Sequence, residues 1–295
     1  MRRVLITGVT GYIGSNLARR LLPDCEVYGL VREPINLTYL GDIQTQIHLL
    51  PWDGTLESIA SALNASRPEV VCHLAAYYTG AHGPEQTPEL IESNVTFGAY
   101  LLEAMAACGY SALVCASTVM AHYQGEVYRP LNLYAATKRA FSDLLVYYTD
   151  AGLLRAVTLV LSDTYGPGDQ RPKILNLVKK AAQTGEELPL SDGGQDYDVV
   201  YIDDVVSAFR QAGEQLLQTP AWKNETFQIA ASRPLTLRQT VGKMLQVNGL
   251  SLCAAWGQRP QPERELRRAV RVYPLLPGWA PLVSLESGLH SFMGE

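Results

Sequence analysis

The sequence predicts an α/β fold, a doubly wound parallel sheet followed by a smaller, irregular lobe. Three observations carry this. Short apolar runs alternate with stretches of helical periodicity up to about residue 160. The first run, Arg3-Val4-Leu5-Ile6-Thr7, passes through Gly8-Val9-Thr10-Gly11-Tyr12-Ile13-Gly14 into the helix-forming Ser15-Asn16-Leu17-Ala18-Arg19-Arg20-Leu21-Leu22. Beyond Tyr165 the alternation ends and proline and glycine become denser, as in Gly166-Pro167-Gly168 and Asp192-Gly193-Gly194.

Taken in order, strands are expected at 4–7, 27–31, 47–50, 70–74, 112–115 and 156–161, with helices beginning near Tyr12, Leu56, Pro88 and Leu133. Parallel strands joined by right-handed crossovers bring the loops after the strands to one edge. Residues 8–14, 75–76 and 117–118 are such loops. Further helices are expected at 174–184, 203–217 and 235–247, and a strand at 227–231. The chain therefore divides into residues 1–165, which 198–231 rejoin, and a second lobe of 166–197 and 232–295.

A chain of 295 residues buries a sizeable core, and 47% hydrophobic with 18% charged residues is a globular composition. A net charge of −5 offers no electrostatic reason for a nucleic-acid or anionic-membrane partner. The apolar runs are too short and interrupted to span a bilayer. The N-terminus enters a strand at once, leaving no room for a signal peptide, so the cytoplasm is the expected location. The five cysteines are odd in number and widely spaced. Cys72 and Cys115 fall in expected strands as small buried hydrophobes, and no metal site or disulfide framework is expected.

Strand, glycine turn and helix together are the context of a dinucleotide fingerprint. Gly8 takes the tight turn, Gly11 admits the pyrophosphate, and Gly14 lets the helix pack close to the strand. The helix N-terminus then turns its free N–H groups to the phosphates. An acid at the end of the second strand usually binds the ribose hydroxyls of NAD, but Val31 and Arg32 stand there. Arg32 suits a 2′-phosphate and favours NADP(H), while Glu33 keeps NAD(H) open. Further along, Tyr134 and Lys138 lie four residues apart on one helical face. A cation there lowers a phenol's pKa, and the phenol can then exchange a proton with a carbonyl or carbinol.

The glycine motif with Tyr-x-x-x-Lys resembles the extended short-chain dehydrogenase/reductase family of NAD(P)-dependent sugar-nucleotide epimerases, dehydratases and reductases. The likeness spans almost the whole chain. His73-Leu74-Ala75-Ala76 resembles its turn under the cofactor, and Asn94-Val95 with Gly98 and Leu101-Leu102-Glu103-Ala104 its long helix. Ala116-Ser117-Thr118 resembles the strand end that keeps the catalytic serine or threonine. Tyr165-Gly166-Pro167-Gly168-Asp169 and Tyr201-Ile202-Asp203-Asp204-Val205 resemble two later junctions.

The resemblance implies a Rossmann-type fold with Thr118, Tyr134 and Lys138 catalytic. It implies cofactor contacts from Gly8, Thr10, Gly11, Tyr12, Ile13, Gly14, Arg32, Asp53, Leu74, Ala75, Ala76, Tyr134 and Lys138. Asp53 resembles an acid that meets the adenine amino group, and is equally placed to cap the following helix. Ser117 rivals Thr118. Asn94 would bind a carbonyl near the nicotinamide or brace a helix, and His73 is structural. Thr118 and His122 would contact a nucleotide-sugar. Arg171 and Lys173 stand where its diphosphate would lie, and equally suit a solvated helix start; Arg233 and Arg259 are weaker candidates for the same contact. A homodimer would form through the helices around 88–108 and 134–149, where Leu101, Leu102, Met105, Leu144, Leu145 and Tyr148 suit either a bundle or the core of one subunit.

Three departures bear on the substrate. Thr118 lies only sixteen positions before Tyr134. Ala121-His122-Tyr123 replaces the usual Val-Tyr-Gly, and Tyr197-Asp198 stands where an arginine is common. A dehydratase would carry Asp-Glu after the threonine, whereas Val119-Met120 follow here and neither moves a proton. The run from Asp163 to Lys173 resembles nucleotide-linked 4-keto-6-deoxyhexose reductases. NADPH-dependent reduction of a nucleotide-linked 4-ketosugar is therefore the expected activity. The runner-up is NAD-dependent C4 epimerisation; a non-catalytic NADP(H)-sensing protein is the reading from another class.

Overall fold

The computed structural model describes residues 1–294. Its first half is strand and helix in alternation: β1 (Arg3–Thr7), α1 (Tyr12–Leu21), β2 (Glu26–Arg32), β3 (His48–Trp52), α2 (Leu56–Ser66), β4 (Val70–His73), α3 (Thr87–Ile91), α4 (Phe97–Cys108), β5 (Ala112–Thr118), α5 (Leu133–Asp150) and β6 (Arg155–Leu161). The second half adds β7 (Asp163–Tyr165), α6 (Ile174–Thr184), β8 (Leu188–Leu190), β9 (Asp196–Tyr197), β10 (Val199–Tyr201), α7 (Ile202–Gln218), β11 (Asn224–Ile229), β12 (Leu235–Thr236), α8 (Leu237–Asn248), β13 (Ala254–Trp256) and α9 (Leu285–Met293).

Seven strands form one parallel sheet in the order β11-β6-β5-β4-β1-β2-β3. This is the doubly wound arrangement, with the order reversing between β1 and β4. The strands read as apolar runs because both faces are covered. Val4 and Ile6 enter the core beneath α1 and α7, while Leu5 enters the core beneath α2, α4 and α5. Local chemistry sets several helix starts. Thr55 caps α2 by accepting from Ser58 N–H, Asn132 caps α5 from Ala135 N–H, and Thr236 forms a capping box with Gln239 on α8.

Some elements differ from the expected ones. β5 continues through Ser117 and Thr118, which stay paired with Val160 and Leu161 of β6 although their side chains are polar. The helix expected near Pro88 is broken into α3, a π-helical turn over Glu92–Thr96, and α4. That turn carries Asn94, whose amide bonds outside its own helix. The strand expected at 227–231 starts at Asn224 instead, because edge pairing with β6 accepts polar residues on a sheet margin.

The remaining strands form short pairs, β7 with β10, β9 with β12 and β8 with β13, with α6 against β8 and α8 against β9 and β12. Leu101, Leu102, Met105 and Leu145, considered for a dimer bundle, are buried in the subunit's own core. Among the described residues no helix is long and apolar enough to cross a membrane. Cys72 and Cys115 are buried free thiols.

Gly14 is where α1 meets β1. A Cβ there would collide with the Gly8 carbonyl. Gly14→Ala is expected to lower stability by about 2–3 kcal/mol through overpacking against backbone that cannot give. Urea denaturation measures this, and an unchanged midpoint would contradict it.

Candidate active site

Gly8 leaves β1 with φ of +72°, and a Cβ at that position would stand 2.6 Å from the Ala75 nitrogen. Gly11 N–H donates to the Gly8 carbonyl at 3.0 Å and Gly11 is the N-cap of α1. The result is a side-chain-free cradle opening on a helix N-terminus, which fits a dinucleotide pyrophosphate. Thr7 ties the two sides of the cradle together. Its Oγ1 accepts from Ala75 N–H at 3.3 Å and bonds His73 Nδ1 at 2.7 Å. His73 is buried against Phe97 and Phe141. Burial, with the nearby charge of Lys138, pushes its pKa well down, so the ring is neutral and structural. Leu74 and Ala75 are half-buried along the crevice and Ala76 is exposed. Thr10 and Ile13 are half-buried in the glycine turn.

Tyr12 does not offer its ring to the crevice. Its hydroxyl donates to the Pro167 carbonyl at 3.1 Å, and the Arg171 guanidinium lies 4.6 Å from its ring centroid. Only the backbone of Tyr12 belongs to the cradle. Arg32, at the tip of β2, is 55% exposed and its nearest acid is Glu89 at 3.9 Å, a loose surface pair. Asp53 is exposed and accepts from Thr55 N–H at 3.0 Å and Thr55 Oγ1 at 2.6 Å. Thr55 is the cap of α2; Asp53 supports that cap from two residues upstream. The bonds from Thr55 and Ser58 hold its carboxyl below its ordinary pKa.

Thr118 closes β5. Its Oγ1 accepts from Met120 N–H at 3.2 Å, which uses a lone pair and not the hydroxyl proton. Ser117 points to the other side of the strand, into a cavity of about 180 Å³ behind α5 that also touches His122, Arg139 and Tyr273. Tyr134, the second residue of α5, packs edge-on against Tyr78 with centroids 4.8 Å apart. Burial raises its pKa, Tyr78 adds to the rise, and Arg171 opposes it. Lys138 is buried one turn on, its Nζ 5.8 Å from the Phe141 ring centroid, and burial lowers its pKa. The phenol was expected to be pulled down by Lys138. Desolvation instead dominates, and the phenol is firmly protonated at neutral pH.

The cations expected at a diphosphate are committed within the chain. Arg171 forms a two-pronged bond with Asp169, at 2.7 and 2.6 Å, and donates to the Thr164 carbonyl at 3.0 Å. Lys173 is ion-paired with Asp163, which also accepts from the Tyr197 hydroxyl at 3.0 Å. Burial alone would raise the Asp163 pKa, but Lys173 and Tyr197 outweigh it and hold the carboxyl low. His122 is buried with Nδ1 3.0 Å from the Val127 carbonyl and 3.2 Å from that of Glu126. Two acceptors there require Nδ1 to carry the proton, so the ring braces its loop. Arg233 and Arg259 are exposed.

Asn94 accepts from Tyr77 N–H at 2.8 Å and donates to the Tyr77 carbonyl at 2.9 Å and Thr137 Oγ1 at 2.9 Å. It clamps the loop bearing Tyr78 to α5, a bracing role. Tyr78, Asp163 and Tyr197, to which the sequence reading gave no role, contact the candidate residues: Tyr78 packs on Tyr134, and Asp163 joins Lys173 and Tyr197. Asp163 and Tyr197 carry the only sequence signal, as they sit beside the motifs at 165–169 and 201–205.

The profile of the NAD dependent epimerase/dehydratase family matches residues 4–230. The chain is 28% identical to the CDP-abequose synthase of Yersinia pseudotuberculosis, over 85% of this chain and 87% of that protein. It is 26% identical to the UDP-glucose 4-epimerase of Mycolicibacterium smegmatis, over 97% and 96% of the two chains. The UDP-glucose 4-epimerase of Thermus thermophilus, solved in complex with NAD, superposes with a TM-score of 0.79 at 28% identity, covering 99% of this chain and 98% of that one. The cradle, the sheet order and these likenesses agree: the chain belongs to the NAD dependent epimerase/dehydratase family, an enzyme of the nicotinamide-dependent oxidoreductase type.

Proposed function

We propose that this protein reduces the 4-keto group of a nucleotide-linked sugar, a deoxysugar by resemblance, with NADPH. Its likeness to CDP-abequose synthase points first to a CDP-linked substrate. Gly8, Thr10, Gly11, Ile13, Gly14 and the Tyr12 backbone would hold the pyrophosphate, with Leu74, Ala75 and Ala76 along the opposite wall. Hydride transfer is the chemistry the dinucleotide supplies when bound. Tyr134 gives its proton to the carbonyl oxygen as the carbon accepts hydride, and the product is a carbinol. Thr118 donates a hydrogen bond to the same oxygen and stabilises the charge that develops there. Lys138, one turn along, would hold the nicotinamide ribose. The phenol then regains a proton from solvent.

The observation that carries the direction of the chemistry is Arg32, an accessible cation at the strand end where a ribose-binding acid would stand. A 2′-phosphate pairs with it, and NADPH is a reductant to be spent. Val119 and Met120, apolar after Thr118, supply no group for dehydration. NAD-dependent C4 epimerisation is the second reading, supported by Glu33 beside Arg32 and by the likeness to UDP-glucose 4-epimerases. We assign the sugar side to the lobe formed by 166–197 and 232–295. With the core leucines committed inside the subunit, a homodimer would use exposed Val146 and Tyr147 on α5 and Ile91 on α3; sedimentation giving a monomer mass would refute it.

Tyr134→Phe is expected to fold and bind NADPH as the wild type does, with turnover down about 10²–10⁴-fold. The loss of nicotinamide absorbance with CDP-, dTDP- and UDP-linked 4-ketosugars measures this, and full activity in the variant would sink the proposal. Because the phenol titrates above its ordinary value of about 10, the wild-type rate should hold level through about pH 9 as far as this group is concerned. Arg32→Ala should weaken NADPH about 10–100-fold, the worth of a charge-assisted bond, and leave NADH within about twofold. Equal weakening of both would remove the case for NADPH, and NAD retained through purification without net consumption would favour epimerisation.

A further inference from the structure

We infer that Arg264, in the substrate lobe, is a positioning residue for Tyr134. This rests on the reading of Tyr134 as proton donor. Arg264 Nε donates to the Leu131 carbonyl at 3.0 Å and Nη2 to the Pro130 carbonyl at 2.7 Å. Its guanidinium also lies 4.7 Å from the ring centroid of Tyr123, against which Arg129 packs at 5.4 Å. Every one of these contacts is to the short loop between Thr118 and α5.

That loop leads directly to the proton donor. Leu131 N–H donates to the Met120 carbonyl at 2.8 Å, and Tyr123 N–H to the Arg129 carbonyl at 2.7 Å, so the loop closes on itself. Asn132 follows, capping α5 through Ala135 N–H at 2.9 Å and donating to the Gly80 carbonyl at 3.4 Å, close to Tyr78. Tyr134 comes two residues later. The orientation of the first turn of α5, and of the phenol on it, therefore depends on where Pro130 and Leu131 sit.

Arg264 reaches the loop from a segment anchored in the lobe. Ala269 N–H donates to Asp196 Oδ2 at 2.9 Å, and Asp196 N–H donates to the Arg267 carbonyl at 3.1 Å. Arg271 donates to Asp198 Oδ2 at 2.6 Å and to the Ala231 carbonyl at 3.0 Å. Asp196 adjoins Tyr197, which bonds Asp163 in the cleft. Arg264 thus fastens the catalytic loop to the lobe assigned to the sugar nucleotide. The fork geometry matters: a guanidinium serves two successive carbonyls and stacks on a ring at once, and an ammonium cannot.

The test compares Arg264→Ala and Arg264→Lys in the full chain by hydrogen exchange, NADPH affinity and turnover. In Arg264→Ala, exchange across 119–135 should rise about tenfold with residues 3–21 unchanged, as expected of local loosening. The kcat should fall about 10–100-fold, the scale of a misplaced catalytic group, with NADPH affinity within about twofold. Arg264→Lys should restore part of the kcat. Unaltered exchange at 119–135 overturns the inference, as does an equal loss of kcat and NADPH affinity in both variants. Should the wild type reduce no nucleotide-linked ketone, the proposed reaction fails on its own, and the exchange result alone decides whether Arg264 holds the loop.

Discussion

Backbone must meet backbone between the ends of β1 and β4, and the rest of the site depends on that approach. The Gly8 turn lies against Ala75 with no room for a side chain, and Gly14 brings α1 down onto the Gly8 carbonyl. The Thr7 hydroxyl, bonded to both His73 and Ala75, holds the two strand ends in register. A neutral His73 is part of this arrangement, because a charged imidazole beside Lys138 in an apolar wall would be repelled and desolvated. The end of β5 at Thr118 lies along the same carboxyl edge of the sheet.

Desolvation governs the acid–base character of the site. Burial raises the phenols of Tyr134 and Tyr197 and lowers Lys138. A protonated phenol suits donation to a developing alkoxide, which is the demand of a reductase. The charges between β7 and α6 are neutralised in pairs, Arg171 with Asp169 and Lys173 with Asp163. Such pairs hold their partners in fixed positions, since breaking one leaves an uncompensated charge. The edge of the cleft is thereby shaped by ion pairs and the phenols of Tyr78 and Tyr197.

Polar contacts tie the loop before α5, and the glycine turn, to later segments of the chain. Arg264 grips two carbonyls ahead of α5, and Tyr12 reaches from the glycine turn to the Pro167 carbonyl. Both are ties between segments far apart in the chain. His122 bonds the Glu126 and Val127 carbonyls of its own loop, whereas the Tyr12 hydroxyl reaches the distant Pro167 carbonyl.

The sequence by itself determined the alternating α/β architecture, the glycine turn from β1 into α1, and the spacing of Tyr134 and Lys138 along one helix. Each of these rests on local periodicity, on the absence of a Cβ, or on spacing along one helix, all properties of contiguous residues. Tertiary structure alone decided which groups are spent on each other. Arg171 and Lys173 read as free cations until the fold brings Asp169 and Asp163 against them. Lys138 reads as a partner that lowers a phenol, until burial proves the stronger influence on Tyr134. Sequence proximity does not say which side chains turn toward each other or how deeply they are buried; the packing of elements remote in the chain decides both.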